Sequence, residues 1–232
     1  MNPVALRDRL EVVRDRIAAA AERSGRRPDD VLLVAVTKTF APEIIVEAAR
    51  LGVSDFGENR VQEFRDKRAS LDSAGVSARY HLIGHLQSNK ARLAVELFDI
   101  IQSVDSIKLA RILDRIAGET RKKLPVLVEV DFSRDPARPG FDPSELEDAV
   151  GELTCLEWLR PTGLMTVAPL ELQGAGSRGV FRELRATRDR LVTANRALEL
   201  PHLSMGMSDD FETAIEEGAT IVRLGRAIFG ER

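Results

Sequence analysis

The sequence predicts a (β/α)8 barrel with an extra helix at its N-terminus. Three observations carry that expectation. Eight short apolar runs recur along the 232 residues, seven of them set apart by stretches long enough for a helix. Strands alternating with helices build right-handed βαβ units and a parallel sheet. No Gly-x-Gly-x-x-Gly follows the first run, which favours a closed barrel over an open, doubly wound sheet. No linker or low-complexity segment divides the chain, and its length suits one such barrel, so residues 1–232 read as a single domain.

The elements follow in order. From Pro3 to about Arg23, Leu6, Leu10, Val13 and Ile17 recur at helical spacing among arginines and acids. "SGRRPDD" breaks this helix, and residues 1–25 are expected to pack on the barrel. The strand candidates are "VLLVAVT" (Val31 to Thr37), "VSDFG" around Asp55, "RYHLIG" (Arg79 to Gly84) and "FDIIQSV" (Phe98 to Val104). They continue with "LPVLVEVDF" (Leu124 to Phe132), "LRPTGLM" (Leu159 to Met165), "HLSMG" (His202 to Gly206) and "TIVRLG" (Thr220 to Gly225). Two long Gly/Pro-rich stretches, Ser133 to Pro143 and Pro169 to Gly179, read as mobile, functional loops.

Composition narrows the function classes. A net charge of −3 leaves no basic excess to neutralise phosphates, so a general nucleic-acid binder is not expected and any anion site must be local. The single cysteine, Cys155, forbids an intramolecular disulfide and a Cys-rich metal site, and is expected in the core near strand six. His81, His85 and His202 are too scattered for a metal cluster, and Gly84 spoils a metal-binding helix for the first two. "MNPVALRDRLEVVRDRI" is neither a signal peptide nor a membrane span, which points to the cytoplasm and away from membranes. The chain stops at Arg232 just past the last strand, so no second domain is expected to close the site.

Barrel chemistry gathers at the C-terminal ends of the strands. In order these carry Lys38, then Glu58 and Asn59, His81, Ser103 and Asp105, Glu129 and Asp131, Met165 and Thr166, Ser204, and Arg223. Ser88, Asp105 and Ser208 also read simply as helix N-caps. Strand alternation puts Leu32, Val34, Val36 and Lys38 on one face, and Ile221, Arg223 and Gly225 on another. If both faces line the barrel, closure brings a lysine and an arginine together in the mouth; a register shift of one turns both outward. Neighbouring cations would lower the lysine pKa and sharpen its amine as a nucleophile.

The last stretch favours the inward register. "SMGMS" and "RLGRAIFG" end strands seven and eight, where barrels of this type commonly bind phosphate. Gly206 and Gly225 allow backbone N–H groups to approach an anion, Ser204 or Ser208 can donate a hydroxyl, and Asp209 and Asp210 must point away. Lysine, arginine and a phosphate cradle suggest an aldehyde-bearing phosphate such as pyridoxal 5′-phosphate (PLP), joined to Lys38 as an imine with Arg223 facing the ring nitrogen. An arginine there keeps that nitrogen unprotonated and the ring a weak electron sink.

"AVTKTF", "FGENRVQE", "HLIGHLQSNK", "GLMTVAP" and "LSMGMSDDFETAI…G…VRLGRAIFG" closely resemble the pyridoxal phosphate homeostasis protein family over Val31 to Gly230. The resemblance implies the barrel of alanine racemase's N-terminal domain, with PLP as a Schiff base on Lys38. It further implies phosphate contacts from Ser204, Gly225 and Arg226, Arg223 at the ring nitrogen and Asn59 beside the ring. A monomer that buffers PLP and delivers it to apo-enzymes, without robust catalysis, is what such a match implies. Two positions depart from the family pattern: Arg60 follows "GEN" where a tyrosine is usual, and Arg138 in "DPARPG" stands where many members carry a lysine. Arginine binds phosphate but forms no stable imine there. Racemisation needs an acid/base on each face of the cofactor, and the only tyrosine is Tyr80 on strand three. The alternatives are a PLP-dependent racemase of low activity and a cofactor-free Schiff-base aldolase acting on a phosphosugar.

Overall fold

The computed structural model describes residues 3–133, 135, 137–172, 174–196 and 198–231. Arg134 and Pro136 of the first long loop, Gln173 of the second, and Met1, Asn2, Ala197 and Arg232 lie outside them. Eight parallel strands close into a barrel in sequence order: β1 (Leu32–Val36), β2 (Asp55–Glu58), β3 (Arg79–Leu82), β4 (Ile100–Val104), β5 (Leu124–Glu129), β6 (Leu159–Met165), β7 (His202–Ser204) and β8 (Ile221–Leu224). All eight predicted strands are present, most of them shorter at their ends. The helices are α1 (Pro3–Arg23), α2 (Pro42–Arg50), α3 (Val61–Ser73), α4 (Ala91–Leu97), α5 (Ile107–Glu119), α6 (Leu146–Thr154), α7 (Arg178–Ala194), α8 (Phe211–Glu216) and α9 (Arg226–Phe229).

Helix α1 buries Leu6, Leu10, Val13 and Ile17, as its spacing predicts, and packs against α8 and α9. Arg16 and Arg23 hold it there through ion pairs to Glu212 and Glu216. The main apolar core lies between the strands and the helices. A second, smaller cluster of Val34, Leu127, Met165 and Ile221 lies apart from it, on the inner faces of their strands. Val34 pairs with Arg223 and Leu32 with Ile221 across β1 and β8, and because Val34 and Ile221 belong to this inner cluster the register is the inward one. Pro161 sits in β6 where the pairing with β5 slips between Val126 and Leu127; an irregularity is where a sheet tolerates proline.

Cys155 departs from its expected core position. It is exposed beyond the last turn of α6, whose buried face is Leu146, Ala149, Val150 and Leu153. Among the described residues no helix is long and apolar enough to cross a membrane.

One glycine fixes the spacing of β6 and β7. A Cβ at Gly163 would stand 2.1 Å from the His202 carbonyl oxygen and 2.7 Å from its carbon. Because the obstacle is paired backbone, Gly163→Ala should destabilise the protein by about 3 kcal/mol. Gly151, in α6 with nothing within 4 Å of the added carbon, is the control. There alanine should stabilise by about 0.5–1 kcal/mol. Guanidinium unfolding midpoints of the two variants would differ in sign from wild type.

Candidate functional site

Lys38 follows the end of β1 by two residues, on the inward parity of Val34 and Val36. It lines a cavity of ≈ 660 Å³ at the C-terminal mouth of the barrel, together with Asn59, Ser208, Arg223, Gly225 and Arg226. Val36, Ile83, Val167 and Met207 supply apolar wall. Five of the six residues assigned from the sequence therefore meet in one place.

The backbone carrying Lys38 is clamped from behind. Lys67 of α3 donates to the Thr37 carbonyl at 2.9 Å and to Glu58 Oε1 at 3.0 Å, and pairs with Glu63 at 2.7 Å. Thr37 Oγ1 donates to the same Glu58 oxygen at 2.8 Å, and the Thr39 N–H donates to Glu63. Thr39 takes a positive φ of 65°, a conformation a β-branched residue adopts only when its surroundings impose it. Glu58 has no exposure and Lys67 only 7%. Burial pushes the Glu58 carboxyl up, against the charge of Lys67 and the hydrogen bonds it accepts. Burial also raises Glu63, but hydrogen bonds from Lys67 and Thr39 outweigh it and leave that carboxyl below its usual range. Sequence reading missed Lys67; its only signal is the Glu63–Lys67 spacing of one helical turn.

Arg223 is buried at the floor of the cavity. Its Nη1 donates to Ser204 Oγ at 2.6 Å and its Nη2 to the Thr166 carbonyl at 2.8 Å. Burial pulls the guanidinium down to about 10, against the pull of Glu129 and Asp210, so it remains a cation at neutral pH. Ser204 is not where the resemblance implies. It has no exposure, and its hydroxyl is taken up by Arg223 and Gln102 beneath the cavity. As the last residue of β7 it points into the barrel, whereas Ser208, four positions on, reaches the lining and accepts from the Ala227 N–H at 3.2 Å. Gly206 likewise serves packing: its φ is 93°, and a Cβ would meet Ala214 at 2.6 Å and Phe211 at 2.9 Å.

The paired acids divide. Asp210 is buried and accepts from the Met207 N–H at 2.7 Å, immediately before α8, so Ser208 is not that helix's cap. Asp209, expected to point away, stands in the cavity lining paired with Arg226. Asp105 is not a cap either. Ser106 caps α5, and Asp105 contacts His85 Nδ1 at 2.7 Å. Ser88 opens a short 3-10 turn that Gln87 precedes.

His81 lies wholly inside the barrel rather than at its mouth. Tyr80 faces the other way, its ring 4.6 Å from that of Phe64 in the layer under the helices. Glu129 is buried, and among the described residues its Oε2 has no partner. Burial, reinforced by Asp105, pushes its carboxyl up to about 8 against Arg223 and Arg138. Arg138 reaches back over the ends of β5 and β6, donating to the Val167 carbonyl at 3.3 Å and lying 3.9 Å from Asp131. Arg60 is exposed. Among the described residues no group of acids, histidines and cysteine could hold a metal ion.

Fold and site define a class: a (β/α)8 barrel whose mouth sets an amine just past β1 beside a buried arginine on β8, with a serine–glycine–arginine rim suited to an anion. The family model described as alanine racemase, N-terminal domain, matches residues 9–232. The pyridoxal phosphate homeostasis protein of Aquifex aeolicus is 40% identical over 225 residues, 97% of this chain and 97% of that relative. The protein of the same name from Escherichia coli is 39% identical over 233 residues, 100% and 98% of the two chains. PipY of Synechococcus elongatus, solved with PLP bound, matches with a TM-score of 0.87 at 40% identity, covering 97% of this chain and 100% of that one. The chain belongs to the pyridoxal phosphate homeostasis protein family, on the barrel of the alanine racemase N-terminal domain.

Proposed function

We propose that this chain binds PLP at the barrel mouth, with Lys38 as its covalent attachment point, and buffers and delivers the cofactor without robust turnover. The observation that carries this reading is the convergence of Lys38 and Arg223 on one cavity. The residues present fit the group. A volume of ≈ 660 Å³ lies within the usual range for a small-molecule site. Apolar side chains offer a wall for a ring, and Ser208, Gly225 and Arg226 offer donors for a phosphate. PLP supplies an aldehyde that an amine can capture and a ring able to accept electrons.

The chain's own groups do the rest. Lys38 presents its amine from a clamped backbone. Arg223, a cation at neutral pH, offers N–H donors and has no proton-accepting lone pair, so it favours a neutral acceptor opposite. Asn59 borders the same space. Arg226 divides its charge between Asp209 and any bound phosphate, which suits a ligand that must also be released. Ser208 takes the phosphate role that the resemblance gives to Ser204.

Lack of turnover is supported by the place of the one tyrosine, Tyr80, which is packed in the outer layer and brings no phenol to the mouth. A racemase of low activity would need a second proton donor, and Glu129, outside the cavity lining, is the group that reading would turn to. We further infer a cytoplasmic monomer, residues 1–232 acting as one domain, with apo-enzymes as recipients.

The test is an absorption spectrum of wild type and Lys38→Ala with added PLP, before and after borohydride. Wild type should show a visible band that borohydride fixes to the Lys38 peptide, and Lys38→Ala should lose both and bind at least about tenfold more weakly. A wild type that stays colourless overturns the reading in favour of the aldolase. Solvent deuterium exchange at the α-carbon of alanine, followed by NMR, separates carrier from racemase; sustained exchange at turnover rates would sink the carrier.

A further inference from the structure

The part of the barrel interior that Val34, Leu127, Met165 and Ile221 do not occupy is polar. Asp55, His81, Gln102 and Ser204 occupy it, all without exposure. They form a continuous chain to Arg223: Arg223 Nη1 to Ser204 Oγ at 2.6 Å, Ser204 to Gln102 Oε1 at 2.6 Å, Gln102 Nε2 to His81 Nδ1 at 2.8 Å, and His81 Nε2 to Asp55 Oδ1 at 2.9 Å. Asp55 is anchored in turn by Ser54 Oγ at 2.6 Å and by Arg79 at 2.8 Å.

We propose that Gln102 is a positioning residue for Arg223, acting through Ser204 as the centre of a one-way hydrogen-bond chain that ends on Asp55. The direction follows from donor chemistry. A guanidinium only donates, so Ser204 Oγ accepts from Arg223 and its own proton must go to Gln102. That makes the facing Gln102 atom the amide oxygen and turns its NH2 toward His81. His81 Nδ1 must then accept, which places the ring's proton on Nε2, where the Asp55 carboxylate takes it. No member can turn over without stranding a buried donor or acceptor, a costly outcome.

The arrangement solves a problem at the cavity floor. A buried arginine fixed by a close carboxylate would have its charge largely cancelled. Among the described residues no acid lies within ion-pair distance of Arg223. Neutral acceptors, Ser204 and the Thr166 carbonyl, hold its orientation and leave its charge for whatever enters the cavity. Five strands (β2, β3, β4, β7 and β8) contribute to that orientation, although only β8 carries the arginine.

The inference rests on Arg223 being a ligand contact, so its test reads binding and the chain separately. In the full-length protein, PLP affinity would be measured by absorbance titration, with the position of the bound band. The His81 tautomer would be read by 15N NMR without ligand. Wild-type His81 should carry its proton on Nε2. Gln102→Leu should bind PLP about tenfold more weakly, with a displaced band, while borohydride still fixes PLP to Lys38. Gln102→Glu keeps the shape and an acceptor for Ser204; the bound band should stay at its wild-type position, although the added carboxylate near Arg223 weakens the affinity. Should Gln102→Leu fail to fold, the Glu variant and the wild-type tautomer decide. Wild-type affinity and band in Gln102→Leu, or a wild-type His81 protonated on Nδ1, would overturn the proposal. A wild type that takes up no PLP while His81 shows the expected tautomer would instead remove the functional reading and leave the chain intact.

Discussion

Replacing Lys67 by methionine is expected to cost the fold about 3–5 kcal/mol at neutral pH, because it leaves a buried carboxylate without its counter-charge. Glu58 is wholly buried, and among the described residues one of its oxygens already has no partner. Removing the ammonium takes away the cation facing it and raises its carboxyl further. A carboxyl raised in the folded state gives full stability below its unfolded pKa and loses it as pH rises through the folded one. The deficit of Lys67→Met should therefore shrink as pH falls, and urea unfolding at pH 5 and pH 7 would show it. Glu58→Gln combined with Lys67→Met removes both charges and should recover most of the loss, giving a large coupling energy in a double-mutant cycle. A single-variant loss below about 1 kcal/mol, as for an exposed pair, would mean that the pair is solvated. The functional effect travels with the structural one. The same ammonium holds the Thr37 carbonyl, and Glu63 holds the Thr39 N–H, so Lys38 loses its fixed presentation. PLP binding should weaken even where the variant remains folded.

That clamp shows where sequence reading ends. The eight strands were legible because apolar runs at regular spacing leave few ways to build a parallel sheet, and the parity of Val34–Lys38 and Ile221–Arg223 carries both cations inward once the barrel closes. Lys67 was not legible. On its own helix it looks like an exposed partner of Glu63, and only docking of α3 over β1 and β2 brings it to Glu58 and Thr37. Ser204 and Ser208 differ for the same kind of reason. Both sit in "SMGMS", but the strand ends at Ser204 and keeps it at the level of Arg223, while the following turn lifts Ser208 to the rim. The chain through Gln102 joins strands that are scattered along the sequence, so no local pattern marks it. Cys155 was misplaced because an apolar character says little about a residue just past a helix end.

Glu129 should cost the wild type stability between about pH 5 and pH 8, and Glu129→Gln should remove that contribution. The folded carboxyl is raised from 4.5 to about 8, chiefly by burial. Its contribution is fully present below the unfolded pKa and is gone once pH passes the folded one. One proton carried across this window at about 1.4 kcal/mol per pH unit amounts to on the order of 4–5 kcal/mol. Chemical denaturation of the two proteins side by side would isolate it from other titrations. The same proton matters at the mouth. While Glu129 is neutral, Arg223 and Arg138 face no added negative charge from β5, and the cavity keeps its attraction for an anion. Above pH 8 the carboxylate competes for Arg223, whose guanidinium is still charged up to about 10. PLP affinity should therefore decline above pH 8 in wild type and hold in Glu129→Gln. If both proteins lose affinity in parallel, the decline has another source, and Glu129 is confined to a structural role.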